Sequence, residues 1–303
     1  MKYISNTDSN TNETLREILA KNIFSKTKFL QITKIESGMT NKNFYCKTNG
    51  EYDIVVRIPG DGTAFMIDRI EEKVIIETIA NLDINADVLY FDEKTGIQVT
   101  KFIEQSCSLY TSNRLTILNE VARTLKRLHN AKITFSKNFL FSEKITQYID
   151  ICKGSNIKLA DNFKGIIKWA LDISQDVGCF EDALLPCHND PTPENFIFQP
   201  QYKKAYLIDW EYAGTNYSHW DLSAFSLEYE LSPYEEEFFF NLYYTDMAID
   251  NLALKTLAYK IQQDLLWYTW SIIKINAKQN LNKYALKRYN RAINNIKKIS
   301  SIL

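Results

Sequence analysis

The chain of 303 residues is long enough for one large domain or two lobes, and its hydrophobic fraction of 45% and charged fraction of 24% are typical of globular proteins. The 36 Lys and Arg residues are offset by 37 Asp and Glu residues, and the net charge of -1 gives no basic excess for nucleic acid or an anionic membrane. This balance excludes a strongly basic binding protein and leaves small-molecule chemistry open.

The cysteine pattern and the amino-terminal segment both bear on location. The five cysteines are widely scattered, and no close pair suggests a zinc knuckle or a redox motif, so reduced thiols are the simplest interpretation. Residues 1–15 are polar and lack the apolar core of a signal peptide, and no later apolar run approaches the ~20 residues that span a bilayer. The sequence therefore predicts a cytoplasmic protein without membrane insertion.

The first third of the chain is predicted to be mostly β-strand. Short segments rich in β-branched and aromatic residues recur from about residue 28 to 103, among them YDIVVRI and IQVTKFI. One helix is predicted within this stretch, over residues 66–82, because apolar side chains recur there at spacings near three and four. The residues that define this apolar face are Ile67, Ile70, Val74, Ile75 and Ile79.

Beyond residue 104 the pattern changes to long segments that are compatible with helices. These segments are 113–131, 142–152, 161–177, 234–248, 251–276 and 282–301. Strand-like pieces, NFIFQ and KAYLIDW, interrupt them around residues 195–210. We therefore predict an α+β protein with a small β-rich lobe over residues 1–103, containing one main helix, and a larger, mainly helical lobe over residues 104–303.

Two segments carry the residue types that phosphoryl transfer requires. LPCHNDPTPENFIF, residues 185–198, contains His188, Asp190 and Asn195 in an H-x-D-x-x-x-x-N pattern, and YLIDWEYAG brings Asp209 to the end of an apolar strand. The reaction needs a carboxylate that orients or deprotonates the attacking hydroxyl, and oxygen ligands that hold Mg²⁺ on the phosphates. A lone Asp or Asn in a loop is most often a turn former or a helix cap. These segments, however, follow a β-rich lobe in the order found in kinases, which predicts a protein-kinase-like fold.

Five segments together resemble the choline/ethanolamine kinase family, within the aminoglycoside-phosphotransferase-like kinases. They are SGMTNKNFYC (37–46), VVRIPGDGT (55–63), HNDPTPEN (188–195), IDWEYAGTNYSHWDLS (208–223) and LLWYTWSIIK (265–274). The resemblance extends from about residue 30 to 295. IDWEYAG with the downstream DLS is its most specific part, since protein kinases carry the metal-binding Asp in D-F-G. The resemblance implies a two-lobed protein-kinase-like fold that uses ATP and Mg²⁺ to phosphorylate a small alcohol.

The resemblance and the chemistry together assign roles to the catalytic segments. Asp190 is expected to be the catalytic base that accepts the proton of the substrate hydroxyl, and Asn195 and Asp209 are expected to bind Mg²⁺. Glu211 is a candidate for a second-metal or water-mediated contact at the substrate, with a structural acid as the alternative. His188 is expected to shape the loop through hydrogen bonds rather than to carry a proton.

The resemblance places the nucleotide in the first lobe. Gly38, Thr40 and Asn41 lie in a turn that occupies the place of a kinase glycine-rich loop, and they are expected to cover the phosphates. Ile103 marks the hinge segment QVTKFIEQ, where backbone groups are expected to bind adenine.

One arginine is a candidate for the fixed positive charge at the phosphates. Arg57 ends the strand YDIVVRI, where a protein kinase carries its phosphate-binding Lys, and the alternative is an exposed arginine on an edge strand. Glu72 on the predicted helix is the best candidate to pair with Arg57, and Glu71 and Glu77 are its competitors. This pairing would reproduce the Lys–Glu ion pair of kinases.

The last helices carry aromatic residues that the resemblance assigns to the substrate pocket. Trp267 and Trp270 share a helix face at i and i+3, and Tyr284 follows one helix later. Aromatic faces attract a quaternary ammonium, whereas the same stripe without the resemblance would be interpreted as helix-packing core. Glu228 and Tyr229 are further candidates for the acidic and aromatic walls of this pocket.

The leading hypothesis is an active ATP-dependent choline kinase that makes phosphocholine. Ethanolamine kinase is the nearest rival, because a smaller aromatic box with more acid would favour a primary ammonium, and thiamine or aminoglycoside kinases are further alternatives. A catalytically silent nucleotide or choline binder is the alternative outside the enzyme class, and the combination of Asp190, Asn195 and Asp209 argues against it. The sequence does not predict the oligomeric state.

Overall fold

The computed structural model describes residues 3–4, 15, 27–36, 41–60, 66–245 and 251–303. Contacts between residues divide the chain into two compact units. The described residues of the first unit lie within Met1–Arg127 and Pro193–Glu211, and those of the second lie within Leu128–Thr192 and Tyr212–Leu303. The predicted lobes, 1–103 and 104–303, stay a prediction.

The first unit contains a six-stranded antiparallel sheet with the spatial order β1–β2–β3–β4–β6–β5. Its strands are β1 (Tyr3–Ile4), β2 (Phe29–Ile35), β3 (Lys42–Thr48), β4 (Ile54–Ile58), β5 (Val88–Phe91) and β6 (Gln98–Lys101). Successive side chains of a strand point to opposite faces, and in β3 the alternate residues Phe44 and Cys46 are buried. They form one core with Leu15, Ile32, Ile54, Val56 and Val99.

Helix α1 (Arg69–Ile79) begins after Asp68, whose side chain accepts hydrogen bonds from the backbone N–H groups of Ile70 and Glu71 at 3.0 and 3.1 Å. This cap satisfies donors that have no partner within the helix. A 3₁₀ turn over Ala80–Leu82 continues the helix to the predicted end. The helix predicted over residues 66–82 is therefore confirmed in its main part.

The predicted apolar face of α1 is partly wrong. Ile70 and Val74, which define part of that face, are 63% and 46% exposed. The helix instead turns Arg69 and Glu72 inward, where both side chains join a buried charge network. Because a buried ion pair carries no hydrophobic signal, the periodicity of apolar residues alone predicts a rotated face.

The rest of the first unit brings two of the candidate metal ligands together. Helix α2 (Arg114–His129) packs beside a hairpin of β8 (Phe196–Gln199) and β9 (Lys204–Leu207), where Thr124 Oγ1 donates to the Ala205 carbonyl at 2.9 Å. At the open end of the hairpin, the backbone N–H of Ile208 donates to the Asn195 carbonyl at 2.9 Å. Asn195 therefore lies beside the residue that follows Ile208, which is Asp209.

The second unit is mainly helical and is organised around one central helix. Helix α7 packs against α3, α4, α5 and α8, and it is buried on nearly every side, as expected for the middle helix of a core. The helices of this unit are α3 (Phe141–Gly154), α4 (Phe163–Asp176), α5 (Ser218–Glu228), α6 (Pro233–Tyr244), α7 (Leu252–Asn276) and α8 (Asn282–Ser300). Its strands β7 (Leu184–Cys187) and β10 (Gly214–Tyr217) pair antiparallel.

The long helices predicted beyond residue 104 are confirmed in the described residues, whereas three shorter elements are not predicted by the sequence. Helix α5 is buried from His219 to Leu227, so it lacks the alternation of apolar and polar residues that marks an amphipathic helix. Strands β7 and β10 have four residues each and contain Pro186 and Gly214, which disfavour a strand assignment.

Two further sequence expectations can be compared with the described residues. All five cysteines are free thiols, in agreement with their scattered spacing. None of the described helices has the length and apolar character needed to cross a membrane.

Candidate active site

The predicted catalytic segment begins at His188, directly after β7, and its residues 188–192 belong to the second unit. Asp190 is partly buried, its backbone N–H faces Nδ1 of His188 at 3.3 Å, and its carbonyl accepts from the Thr192 N–H at 2.8 Å. His188 is fully buried. Its contact with the Asp190 backbone agrees with the expectation that His188 shapes the loop.

Asp221 of α5 anchors the backbone of this loop. Its Oδ2 accepts from the His188 N–H and its Oδ1 accepts from the Asn189 N–H, both at 2.8 Å. Oδ2 also lies 3.0 Å from Nε2 of His129, whose Nδ1 lies 2.7 Å from the Tyr243 hydroxyl. Asp221 is fully buried, so these donors compensate a carboxylate that water does not reach. The loop that carries Asp190 is therefore fixed on its interior side.

Asn189 adds a second set of contacts beside Asp190. Its φ of 70° lies in the left-handed region, which Asn tolerates better than most residues. Its side-chain amide donates to the carbonyls of Tyr212 at 3.0 Å and Gly214 at 3.2 Å, and its own carbonyl accepts from the Trp220 indole at 3.0 Å. These bonds, together with the bond from the Asn189 N–H to Asp221, hold the unusual backbone conformation.

In the first unit, Asp209 lies at the centre of a polar group. Its φ is 69°, and its side chain is more exposed than those of its partners. Oδ1 accepts from Nη1 of Arg57 at 2.7 Å, and Oδ2 accepts from Nδ2 of Asn41 at 3.0 Å. Asn195 lies beside Asp209 through the backbone bond of Ile208. Asn41 and Arg57 therefore bind Asp209 directly, and the backbone of Asn195 lies beside it.

Two arginines and three carboxylates form a buried charge network in the first unit. Arg57 Nη2 donates to Glu72 Oε1 at 2.6 Å, which confirms the predicted ion pair and selects Glu72 over Glu71 and Glu77. Arg69 Nη1 donates to the other Glu72 oxygen at 2.6 Å and to Glu211 Oε2 at 3.0 Å. The network thus consists of Arg57, Arg69, Glu72, Asp209 and Glu211.

Four aromatic side chains of the second unit form what we call the aromatic box: Tyr212, Trp267, Trp270 and Tyr284. The ring centroids of Tyr212 and Trp267 lie 5.1 Å apart, those of Trp267 and Trp270 lie 5.9 Å apart, and those of Trp270 and Tyr284 lie 6.4 Å apart. All three contacts are edge-to-face, with interplanar angles of 81°, 83° and 74°. The predicted aromatic residues of α7 and α8 therefore do meet, and Tyr212 joins them.

The polar atoms of the box are bonded to neighbouring side chains. The Trp270 indole donates to the Tyr212 hydroxyl at 2.9 Å, and the Trp267 indole donates to Gln263 Oε1 at 2.9 Å. The Tyr284 hydroxyl accepts from Arg288 Nη2 at 2.6 Å. The box therefore combines ring faces with polar groups that have partners within the second unit.

Comparison with known proteins adds the family. The sequence model described as choline/ethanolamine kinase matches residues 32–250, more than two thirds of the chain. The chain belongs to the choline/ethanolamine kinase family. Its members are phosphotransferases that act on alcohol groups, so this chain is an enzyme of that class. The predicted family and enzyme class are confirmed.

Similar proteins agree with this assignment. Protein LicA of Haemophilus influenzae strain Rd is 28% identical over 269 residues, which cover 84% of this chain and 97% of that protein. The solved structure of the choline kinase LicA from Streptococcus pneumoniae is 28% identical in sequence and superposes with a TM-score of 0.83. The superposition covers 96% of this chain and 100% of the LicA chain. The aminoglycoside phosphotransferase APH(2'')-Ib shares the fold alone, with 16% identity, a TM-score of 0.62, and 95% and 98% coverage of the two chains. The predicted protein-kinase-like α+β fold is confirmed.

Of the remaining residues predicted to bind the nucleotide, one lies in the described part of this kinase and two do not. Gly38 and Thr40 lie outside the described residues. Ile103 follows β6 and is partly buried, and its carbonyl accepts from the Ser106 hydroxyl at 2.6 Å. Its assignment to an adenine-binding hinge stays a prediction.

The other two predicted substrate residues of this kinase have different surroundings. Glu228, at the end of α5, binds Arg288 at 2.9 Å and Arg291 at 3.0 Å, so its negative charge is compensated. Tyr229 is buried, and its ring stacks on Phe225 with centroids 5.1 Å apart. The structure therefore places Tyr229 in the packing of α5, and its contact with a substrate stays a prediction.

Burial and neighbouring charges shift two pKa values in the charge network of this kinase. Burial raises the pKa of Glu211 to about 7, and the neighbouring Asp209 carboxylate adds to the rise against the effect of Arg57. For Arg57, burial lowers the pKa, but the carboxylates of Glu72, Asp209 and Glu211 together raise it above its ordinary value. Arg57 therefore remains a permanent positive charge.

The aromatic box of this kinase lies within electrostatic reach of the catalytic loop. Burial raises the pKa of the Tyr284 phenol, Arg288 lowers it, and the carboxylates of Glu228 and Asp190 raise it further. The net shift is upward, so Tyr284 stays neutral at physiological pH. Asp190 thus acts on a residue of the box through its charge.

Sequence analysis missed several residues that position the site. Asp221 and Trp220 lie in the motif IDWEYAGTNYSHWDLS, and Tyr212 lies in its IDWEYAG part, but no spacing rule assigns them a partner. Arg69 carries no motif at all. For Tyr212, the signal was available, because an aromatic residue three positions after Asp209 is part of the motif that carries the resemblance.

Gly96 is predicted to be essential for the geometry of the two arginines. Its φ is 74°, and an added Cβ would lie 2.6 Å from Arg69 Nε and 2.9 Å from Pro59 Cγ, while its carbonyl accepts from Arg57 Nη2 at 3.3 Å. We expect Gly96→Ala to lower the free energy of unfolding by about 2–3 kcal/mol, since both the backbone and the space favour glycine. Chemical denaturation would measure this loss.

The matched control for Gly96→Ala is Gly154→Ala at the end of α3, where nothing lies within 4 Å of the added Cβ. This control is expected to be neutral or to stabilise the protein by up to ~1 kcal/mol. Equal stability of the two variants would contradict the assigned role of Gly96.

Proposed function

We propose that this kinase transfers the γ-phosphate of ATP to the hydroxyl of choline and releases phosphocholine and ADP. The observation that carries the proposal is the aromatic box, because ring faces are the recognition groups of a quaternary ammonium. Its rings come from α7, α8 and the turn before β10, so they are held by the core of the second unit. A cytoplasmic location, where ATP is available, is part of the proposal.

The bonding of the polar atoms in the box supports choline over ethanolamine. A primary ammonium carries three N–H donors that need acceptors when they leave water, whereas the three methyl groups of choline need none. The Tyr284 hydroxyl already accepts from Arg288, and the Tyr212 hydroxyl already accepts from Trp270. The aromatic box therefore suits a cation that packs on ring faces better than one that needs hydrogen-bond acceptors.

Asp190 is the proposed catalytic base. Its carboxylate would accept the proton of the choline hydroxyl as that oxygen attacks the γ-phosphorus, and the bond from phosphorus to the bridging oxygen of ADP would break. The contacts of His188, Asn189 and Asp221 support this role, since they fix the backbone that leads into Asp190. A base held in position lowers the entropic part of the activation barrier, because less orientational freedom is lost on reaching the transition state.

Asn195 and Asp209 are the proposed Mg²⁺ ligands, and their donor set fits that ion. Both offer side-chain oxygens, which Mg²⁺ prefers. The buried side-chain oxygen Asn41 Oδ1, next to Asp209, has no hydrogen-bond partner among the described residues, so an acceptor oxygen remains available there. When bound, Mg²⁺ would neutralise charge on the β- and γ-phosphates.

Arg57 is proposed to bind phosphate oxygens of ATP. Its guanidinium is held by Glu72 on one side and contacts Asp209 on the other, so a nucleotide would compete with Asp209 for Nη1. Gly38, Thr40 and Asn41 are proposed to cover the phosphates, and the backbone around Ile103 to bind adenine. Glu211 is proposed to make a second-metal or water-mediated contact at the substrate.

The proposal predicts choline as the preferred acceptor. ADP release would be measured with choline, ethanolamine, thiamine and an aminoglycoside at matched concentrations of ATP and Mg²⁺. We expect kcat/KM for choline to exceed that for ethanolamine by about 10-fold or more, because the primary ammonium loses hydrogen bonds with water that the box does not replace. Omission of the acceptor controls for ATP hydrolysis. Absence of choline-dependent ADP release, or a higher kcat/KM for ethanolamine, would overturn the proposal.

A further inference from the structure

A group of four charged residues lies directly behind the aromatic box. We call Arg288 and Arg291 of α8, Glu228 of α5 and Asp264 of α7 the arginine–carboxylate cluster. Arg288 Nη1 lies 2.9 Å from Glu228 Oε1 and 3.1 Å from Asp264 Oδ1, and Arg291 Nη2 lies 3.0 and 2.7 Å from the same two oxygens. Two positive and two negative charges therefore cancel within the cluster.

Arg288 connects this cluster to the box. Its Nη2 donates to the Tyr284 hydroxyl at 2.6 Å, and its guanidinium carbon lies 4.8 Å from the centre of the Tyr284 ring. Arg288 and Asp264 are almost completely buried, so water screens their charges only weakly. Burial lowers the pKa of Arg288, but Tyr284, Glu228 and Asp264 raise it above its ordinary value, so the guanidinium stays charged.

We propose that Arg288 is a specificity-determining residue, which makes the box select a quaternary ammonium over a primary one by neutralising Glu228 and Asp264 and occupying the Tyr284 hydroxyl. This inference rests on the proposed choline kinase function and names the device that sets its preference. The residue touches a wall of the box rather than the reacting atoms.

The physical argument is a difference between two cations. A carboxylate near the box would attract both choline and ethanolamine through its charge, but it would accept hydrogen bonds only from the ammonium of ethanolamine. With Arg288 present, Glu228 Oε1, Asp264 Oδ1 and the Tyr284 hydroxyl each already accept from a guanidinium, so an ammonium N–H of ethanolamine would compete with Arg288 for these acceptors. Specificity then comes from disfavouring the competitor as well as from favouring choline.

The test is the ratio of kcat/KM for choline to kcat/KM for ethanolamine in Arg288→Met. In this variant Glu228 and Asp264 share Arg291 as their one remaining arginine of the cluster, and the Tyr284 hydroxyl loses its donor Arg288. We therefore expect the ratio of kcat/KM values to fall by about 10-fold or more. A ratio taken within one variant is not changed by the fraction of folded enzyme. A purely structural role of Arg288 would lower both values and leave the ratio where it was.

Three further variants separate charge from packing. Asp264→Asn combined with Arg288→Met restores the balance of charge, and we expect its ratio to return toward that of the unmodified enzyme. Arg291→Met removes a more exposed arginine from the same two carboxylates, and we expect its ratio to fall by about 3-fold or more. Lys287→Met removes an exposed positive charge of α8 that pairs with Glu230, and we expect no change in its ratio.

The outcomes distinguish this inference from the proposed function. If the unmodified enzyme does not use choline, the proposed function fails. If it prefers choline and Arg288→Met keeps the same ratio, the function stands and the inference is overturned. If Arg288→Met does not fold, Arg291→Met decides the question, and an unchanged ratio in that variant overturns the inference.

Discussion

Replacing Asp190 with Asn or Ala is expected to lower kcat by about 10³-fold or more, with the affinity for ATP within about 3-fold of its original value. A positioned general base contributes roughly 10²–10⁴-fold to the rate of such a reaction. Asn keeps the size of the side chain but cannot accept the proton of the attacking hydroxyl. Steady-state kinetics would measure the rate, and calorimetric titration with a nonhydrolysable ATP analogue would measure the affinity.

The matched control for Asp190 is Asp176→Asn at the exposed end of α4, which removes the same charge from the same unit. It is expected to keep kcat within about 2-fold, because exposed charges contribute little when they touch no site. Near-normal turnover in Asp190→Ala would remove Asp190 from the mechanism. A parallel loss of folded protein, detected by circular dichroism, would assign the effect to stability instead.

Asp221→Ala is expected to lower the free energy of unfolding by about 3–5 kcal/mol. The change leaves the N–H groups of His188 and Asn189 and the imidazole of His129 without their shared acceptor in a fully buried place. Buried donors that lose a charged acceptor carry the full cost of desolvation. Urea denaturation followed by tryptophan fluorescence would measure the loss.

Asp221→Asn gives a graded version of this prediction. The amide keeps one acceptor oxygen, but its NH₂ group must face an N–H group that donates to the carboxylate in the unmodified protein. We therefore expect a free energy of unfolding between that of Asp221→Ala and that of the unmodified protein. Asp172→Ala on the exposed surface of α4, which removes a pair with Lys168, is the control and should cost less than ~0.5 kcal/mol. Unfolding of Asp221→Ala at the same urea concentration as the unmodified protein would rule out the anchoring role.

The sequence predicted the chemistry of the site better than the scaffold that holds it. Asn195 and Asp209 could be found because an amide after the H-x-D pattern and a carboxylate at the end of a later apolar strand are typical of the metal-binding positions of kinases. The ion pair of Arg57 with Glu72 could be found because both positions follow a kinase pattern. Long helices such as α7 could be found from their length, although their buried sides gave no periodic signal.

The parts that could not be predicted are contacts between residues far apart in the chain. Asp221 binds backbone groups more than 30 positions before it, and neither partner marks the other in the sequence. Arg69 turns the buried face of α1 away from its apolar residues, because two carboxylates compensate its charge there. These interactions depend on the tertiary fold, so local patterns do not predict them.

The central position of α7 links the substrate range of this kinase to its folding. The same helix supplies Trp267, Trp270 and Asp264, and it is packed against four other helices of the second unit. A substitution at either tryptophan would therefore disturb a close-packed interior as well as a binding surface. We expect evolutionary change of the acceptor alcohol to proceed through Tyr284 of α8, which is only partly buried, whereas both tryptophans are buried. Directed evolution toward new amino alcohols should accordingly accumulate substitutions around Tyr284 before it changes the tryptophans.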